Sequence, residues 1–253
     1  MGPPFYTLRV AEITIAELVR NGTMSAEMAA VLWAAVDEQK SFLTVAVPRF
    51  AGKTTTSNAV LALRPSEVPV TQVAGEPELM ERLKQERRGG YLQVAEFAYA
   101  PVPGYIWGTP VRRVFETVHE GGYALQTALH APGVETGMLE VTQGNGVSDE
   151  HAATFKLVMY IERFGYSYQS FWRRVTDLYE VEDVKDGRPR GRSLFRWREA
   201  DDAFEQLAEP QQWALDRADL AQRAGIIALL ARREQTTAAE VAAAVAEYRS
   251  AKA

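Results

Sequence analysis

The run Ser41 to Val47 (SFLTVAV) is short, apolar and β-rich, and Gly52-Lys53-Thr54 follows it within a few residues. Such a run suits a strand buried on both faces, which needs helices above and below it and therefore a parallel sheet. A helix is expected from Thr54 to Leu63, closed by Arg64-Pro65. The alternation then repeats. VPVTQVA (68–74) reads as a strand and PELMERLKQER as a helix ending at Gly89-Gly90. YLQVAEF (91–97) is a third strand, residues 110–119 form a helix, and YALQTALH (123–130) is a fourth strand. Strand and helix in turn predict an α/β fold with crossover helices.

Two helices are expected before this core. Ile15, Leu18 and Val19 recur at helical spacing up to Asn21-Gly22, and Ser25 caps a second helix that buries Met28, Ala29, Leu32 and Trp33. Beyond residue 148 the pattern predicts a helix over 149–163. It then predicts a β-rich segment, FWRRVTDLYEVEDV, turning at Lys185-Asp186-Gly187 into RSLFRWRE. Ala-rich helices near 211–234 and 237–250 end the chain. The division expected is 1–40 (helical lead-in), 41–145 (core) and 146–253 (helix, hairpin and helical subdomain).

The 253 residues hold no cysteine, so disulfides, thiolate metal sites and cysteine nucleophiles are excluded. A net charge of −5 gives no electrostatic reason to expect nucleic acid, and none is expected as a partner. There is no run of about 18 apolar residues to span a membrane, and MGPPFYTLRV lacks a signal-peptide core. A cytoplasmic protein is expected. The three histidines are too scattered for a zinc site.

Gly52-Lys53-Thr54 lies where a phosphate-binding loop belongs, between a buried strand and a helix. Amides at a helix N-terminus favour an anion, a lysine reaches the outer phosphates, and the next hydroxyl ligates Mg²⁺. The full pattern asks for glycine five positions before Gly52. Val47 stands there instead, followed by Pro48, which has no N–H to donate. The plain alternative is a lysine at an ordinary helix start.

The stretch ITIAELVRNGTMSAEMAAVLWAAVDEQKSFLTVAVPRFAGKTTTSNAVLAL resembles the start of the motor domain of type II and type IV secretion and pilus-assembly ATPases. YLQVAEF resembles their Walker B strand, TALHA their histidine box, FWRRVTDLYEVE with RSLFRWR their late β-hairpin, and EVAAAVAEYRSA their last helix. The resemblance implies a RecA-like P-loop NTPase core binding ATP with Mg²⁺ through Pro48, Arg49, Phe50, Ala51, Gly52, Lys53, Thr54 and Thr55. It implies Thr54 and Glu96 at the metal, and Glu96, His130 and a displaced Glu76 as catalytic groups. It also implies a homo-oligomer, hexameric in the family, or other secretion subunits as partners, and a peripheral place at the inner membrane.

The departures bear on activity. The family's acidic pair falls on Ala74-Gly75, with Glu76 one position beyond. Its first histidine falls on Gly122, and the arginine after its Walker B glutamate on Phe97-Ala98. Losing the carboxylate that orients the attacking water would slow a step that depends on positioning. The family's N-terminal domain has no counterpart, so a fragment or a reduced relative is expected. Three readings follow: a motor-type ATPase with weakened hydrolysis, a catalytically silent regulatory or structural subunit, and a small-molecule kinase, disfavoured because no acceptor site is evident. Arg112-Arg113 and Arg173-Arg174 are read either as solvated or as reaching a neighbouring subunit's nucleotide. His119 and His151 are read as surface residues, and Tyr99 to Trp107 as a packed loop.

Overall fold

A computed structural model of the chain describes residues 13–47, 50–167, 170–211 and 216–252. The lead-in is two capped helices, α1 (Ile15–Arg20) and α2 (Ala26–Asp37). Thr14 and Glu17 form a capping box on α1, and the Ser25 hydroxyl accepts from the Met28 amide on α2, so free amides at both starts are satisfied. Strand β1 (Ser41–Ala46) is buried throughout. Alternate side chains explain why: Phe42 and Ala46 join one apolar cluster, Leu43 and Val45 another on the opposite face.

After α3 (Lys53–Leu61) come β2 (Val70–Gln72), α4 (Pro77–Glu86), β3 (Tyr91–Gln93), β4 (Glu96–Phe97) and β5 (Tyr105–Ile106). Then follow α5 (Thr109–Gly121), β6 (Ala124–His130), α6 (Val134–Leu139) with a π-helical turn at 140–144, and α7 (Asp149–Ala152). The segment read as one strand over 91–97 is two, because the strand pairing breaks at Val94-Ala95 before Glu96 pairs with Tyr105.

The helix expected over 149–163 is corrected. Only α7 is helical, and Phe155–Ser167 is a long strand, β7, paired in parallel with β1. Its apolar residues Leu157, Val158, Met159 and Ile161 are all buried. Such a run is compatible with either periodicity, and pairing with β1 decides it. The parallel part of the sheet thus continues past residue 145. Its order is β7-β1-β6-β3-β2, with every neighbouring pair parallel.

An antiparallel extension, β8 (Ser170–Lys185), β9 (Arg188–Arg198) and β10 (Ala203–Gln206), continues from β7. The turn into β9 holds Asp186 and Gly187 at φ +53 and +78, as a two-residue hairpin requires. Helices α8 (Arg217–Ala231) and α9 (Ala238–Lys252) pack in the same cluster as α1 and α2. No helix among the described residues is long and apolar enough to cross a membrane.

Candidate functional site

Helix α3 begins where β1 ends. Its N-cap is Gly52 at φ +94, a conformation glycine adopts at little cost. Lys53 follows as the first helical residue, and its side chain turns inward, 7% exposed. Strand β6 ends at His130, which pairs in register with Ala46 of β1. Strand β4 contributes Glu96, 4% exposed, beside the same strand ends.

The three side chains meet. The Lys53 ammonium lies 3.4 Å from Glu96 Oε2 and 3.1 Å from His130 Nε2. His130 Nε2 is also 3.2 Å from Glu96 Oε1. His130 Nδ1 sits 2.9 Å from the Val47 carbonyl oxygen, which can only accept, and the tautomer with the proton on Nδ1 satisfies that contact. In the neutral ring Nε2 then accepts from Lys53, and only an imidazolium donates to Glu96. This agrees with Glu96 Oε1 being buried without a hydrogen-bond partner among the described residues despite its closeness to the ring. Burial presses the Lys53 ammonium below its ordinary range, and the Glu96 charge works against that shift.

The remaining residues expected at the site divide. Phe50 is exposed at φ +64, Ala51 is buried in the core, and Thr55 is half-buried. Pro48 and Arg49 lie outside the described residues. Thr54 and Glu76 are exposed and line a separate cleft of about 440 Å³, with Asn58, Gln72, Gln93 and Gln126 supplying primary amides. Gln93 Nε2 donates to Asn58 Oδ1 at 2.9 Å and to Gln126 Oε1 at 2.8 Å. Glu76 Oε2 accepts from the Ala74 amide at 2.9 Å, so that carboxylate is held by its own loop. The cleft gives a polar space beside α3 that the sequence did not reveal.

The arginines work within the chain. Arg112 donates to the Asn145 carbonyl at 2.7 Å and Arg113 to the Gly75 carbonyl. Arg174 clasps Asp202 through two hydrogen bonds of 2.7 and 2.6 Å. Arg173 donates to the carbonyl of Phe50 at 3.1 and 3.0 Å, a contact 123 residues apart that no local pattern announces. Tyr99, read as part of a packed loop, is 93% exposed. The His119 and His151 rings lie 5.0 Å apart.

The start of α3 suits an anion, offering amides and a buried ammonium, and Glu96 Oε1 has no hydrogen-bond partner among the described residues. Among the described residues no three His, Asp or Glu side chains form a metal cage.

No family model matches the chain, and no curated protein matches it. Among solved structures, the VirB11 ATPase of the Brucella suis type IV secretion system in complex with sulphate is similar at 15% identity and a TM-score of 0.43. The match covers 70% of this chain and 59% of that one. The Legionella pneumophila ATPase DotB is similar at 12% identity and a TM-score of 0.38, covering 55% of this chain and 45% of that one. The chain spans less than two thirds of the length of each. These structural neighbours are ATPases, one of them from a secretion system.

Proposed function

We propose that the chain is an ATP-binding, motor-type domain of the secretion ATPase kind, with a RecA-like core that includes β7 and with weakened hydrolysis. One observation carries the reading: Lys53, Glu96 and His130 converge within 3.4 Å where β1, β4 and β6 end around the start of α3. Ligands of open α/β sheets bind beyond such strand ends. In this reading Lys53 exchanges Glu96 and His130 for the β- and γ-phosphates. Thr54 and Glu96 would hold Mg²⁺, which would supply positive charge to the phosphates, and His130 would meet the γ-phosphate through the nitrogen it now turns to Lys53. The domain works in the cytoplasm as part of an oligomer or with other secretion subunits.

The second reading, a catalytically silent relative, is favoured by one specific feature. Ala74 and Gly75 occupy the place of the family's acidic pair, and Glu76 is tied back to the Ala74 amide. Calorimetric titration with Mg-ATP tests binding, with Lys53→Ala as the control. Binding by the native chain that disappears in the variant supports a nucleotide site, and no binding by the native chain refutes it. Steady-state phosphate release decides between the readings: turnover abolished in Lys53→Ala rejects the silent one.

A further inference from the structure

Gly52 is constrained twice. Besides its positive φ, a Cβ there would lie 2.9 Å from Cδ and 3.0 Å from Nε of Arg173, which rests on the start of α3. Arg173 comes from β8. Its two hydrogen bonds go to a neutral acceptor, the Phe50 carbonyl, and its guanidinium carbon lies 4.6 Å from the centre of the Phe171 ring. Burial and the neighbouring Arg163 press it below the ordinary guanidinium range, with no carboxylate among the described residues offsetting them. Arginine keeps its proton in proteins, so the shift marks a positive charge held at a cost beside the positive end of a helix. An anion would relieve it.

An independent observation points to a ligand at the same place. A cavity of about 180 Å³ between α1, the start of α3 and β8 is lined by Asn21, Gly52, Thr55, Thr56, Trp172 and Arg173, among others. Thr56 is 1% exposed, and its hydroxyl has no hydrogen-bond partner among the described residues. A buried hydroxyl without a partner costs free energy that a ligand's oxygen would recover.

We propose that Arg173 is a phosphate-binding residue supplied by the same chain: its planar fork exchanges the Phe50 carbonyl for two oxygens of the bound nucleotide's terminal phosphate, beside the cavity it shares with Thr56. The inference rests on the nucleotide reading above. Both site cations then behave alike, Lys53 parked on Glu96 and His130 and Arg173 parked on Phe50, each on an acceptor that a polyphosphate outbids.

The test is calorimetric titration of Mg-ATP and Mg-ADP into the native chain, Arg173→Gln, Arg173→Lys and Lys53→Ala, each checked for folding by thermal melting. Expected is an Arg173→Gln affinity for ATP reduced about ten- to a hundred-fold, the size of charge-assisted hydrogen bonds, with a smaller loss for ADP and partial recovery in Arg173→Lys. A residue that merely tethers the loop would weaken ATP and ADP by the same factor. That result, or native ATP affinity in Arg173→Gln, overturns the role while leaving the nucleotide site intact. Absence of ATP binding by the native chain overturns both. If Arg173→Gln does not fold, the ATP-to-ADP comparison in Arg173→Lys decides: a larger loss for ATP supports the contact, and equal factors reject it.

Discussion

Replacing Glu96 by Gln keeps the shape of the site and removes the charge that offsets Lys53. At 3.4 Å the pair attracts by about 5 kcal/mol if the effective dielectric constant is about 20. Against this, the variant no longer desolvates a carboxylate, and Lys53 retains the His130 nitrogen at 3.1 Å. Removing one partner of a buried pair generally costs about 3–5 kcal/mol. The His130 side chain, 37% exposed, opens one flank to water, so a loss of about 3 kcal/mol at pH 7 is expected. The pH dependence makes the test specific. Lys53 already sits below its unfolded range because of burial, and loss of Glu96 lowers it further. A lysine whose folded pKa is depressed binds fewer protons folded than unfolded, so stability rises with pH through that window. The window opens at lower pH in the variant, and its deficit should therefore shrink between pH 7 and pH 10. Urea unfolding at intervals across that range measures it. A variant as stable as the native chain at pH 7, with the same slope, or a deficit that widens with pH, would refute the pairing argument.

Gly52→Ala should lower the melting temperature and weaken ATP binding, since it places a side chain at φ +94 and against Arg173, a strain of about 1–3 kcal/mol read by thermal melting and calorimetry. Arg223→Ala should cost about 3 kcal/mol in urea unfolding, because Arg223 pairs with Asp37 of α2 and Asp219 of α8 while lying over the Trp33 and Tyr248 rings. Asp202 is pulled down to about 2 by hydrogen bonds from Arg174 and then Trp197. Its stabilisation is present above pH 4 and lost as pH falls towards 2, so Asp202→Asn should make acid unfolding followed by circular dichroism less steep there, by a small amount because Asp202 is half exposed.

What the sequence disclosed is what neighbouring residues decide among themselves. SFLTVAV is apolar at every position but two, so both faces of β1 had to be covered, and the glycine and lysine after it had to lie at a strand-to-helix turn. Ser25, Asn21-Gly22 and Lys185-Asp186-Gly187 act within a few residues and are equally legible. Phe155–Ser167 was not, because FKLVMYIERF satisfies helix and strand spacing alike and only its place beside β1 selects the strand. The site shows the same division. Lys53, Glu96 and His130 were nameable from the contexts AGKT, YLQVAEF and TALHA, but their mutual contacts arise from β1, β4 and β6 ending together. The Arg173 contact with Phe50 and the amides shared by Asn58, Gln93 and Gln126 join elements far apart in the chain, and no periodicity carries such information.

The position of Arg173 bears on how a bound nucleotide would be felt elsewhere. Three consecutive residues of β8 touch three different parts of the molecule. Arg173 holds the Phe50 carbonyl, Arg174 clasps Asp202 and packs 3.3 Å from where a Cβ on Gly22 would lie, and the Val175 amide donates to the Thr23 carbonyl at 2.7 Å. Gly22 and Thr23 form the turn between α1 and α2, so the loop before α3, the lead-in helices and the turn before β10 share one short piece of strand. Connectivity of this kind becomes coupling only when some element has two positions biased by the ligand. The exchange of Phe50 for phosphate by Arg173 would supply the second position. Arg173, Arg174 and Val175 pair with β7 on one side, and β9 joins the other side only from Asp177, so a shift at Arg173 would be passed along the strand to its contacts at Gly22-Thr23 and Asp202. Hydrogen exchange of the Val175 amide, slowed or quickened by Mg-ATP in the native chain and unresponsive in Arg173→Gln, is the expected signature, and an equal response in both would sever the connection.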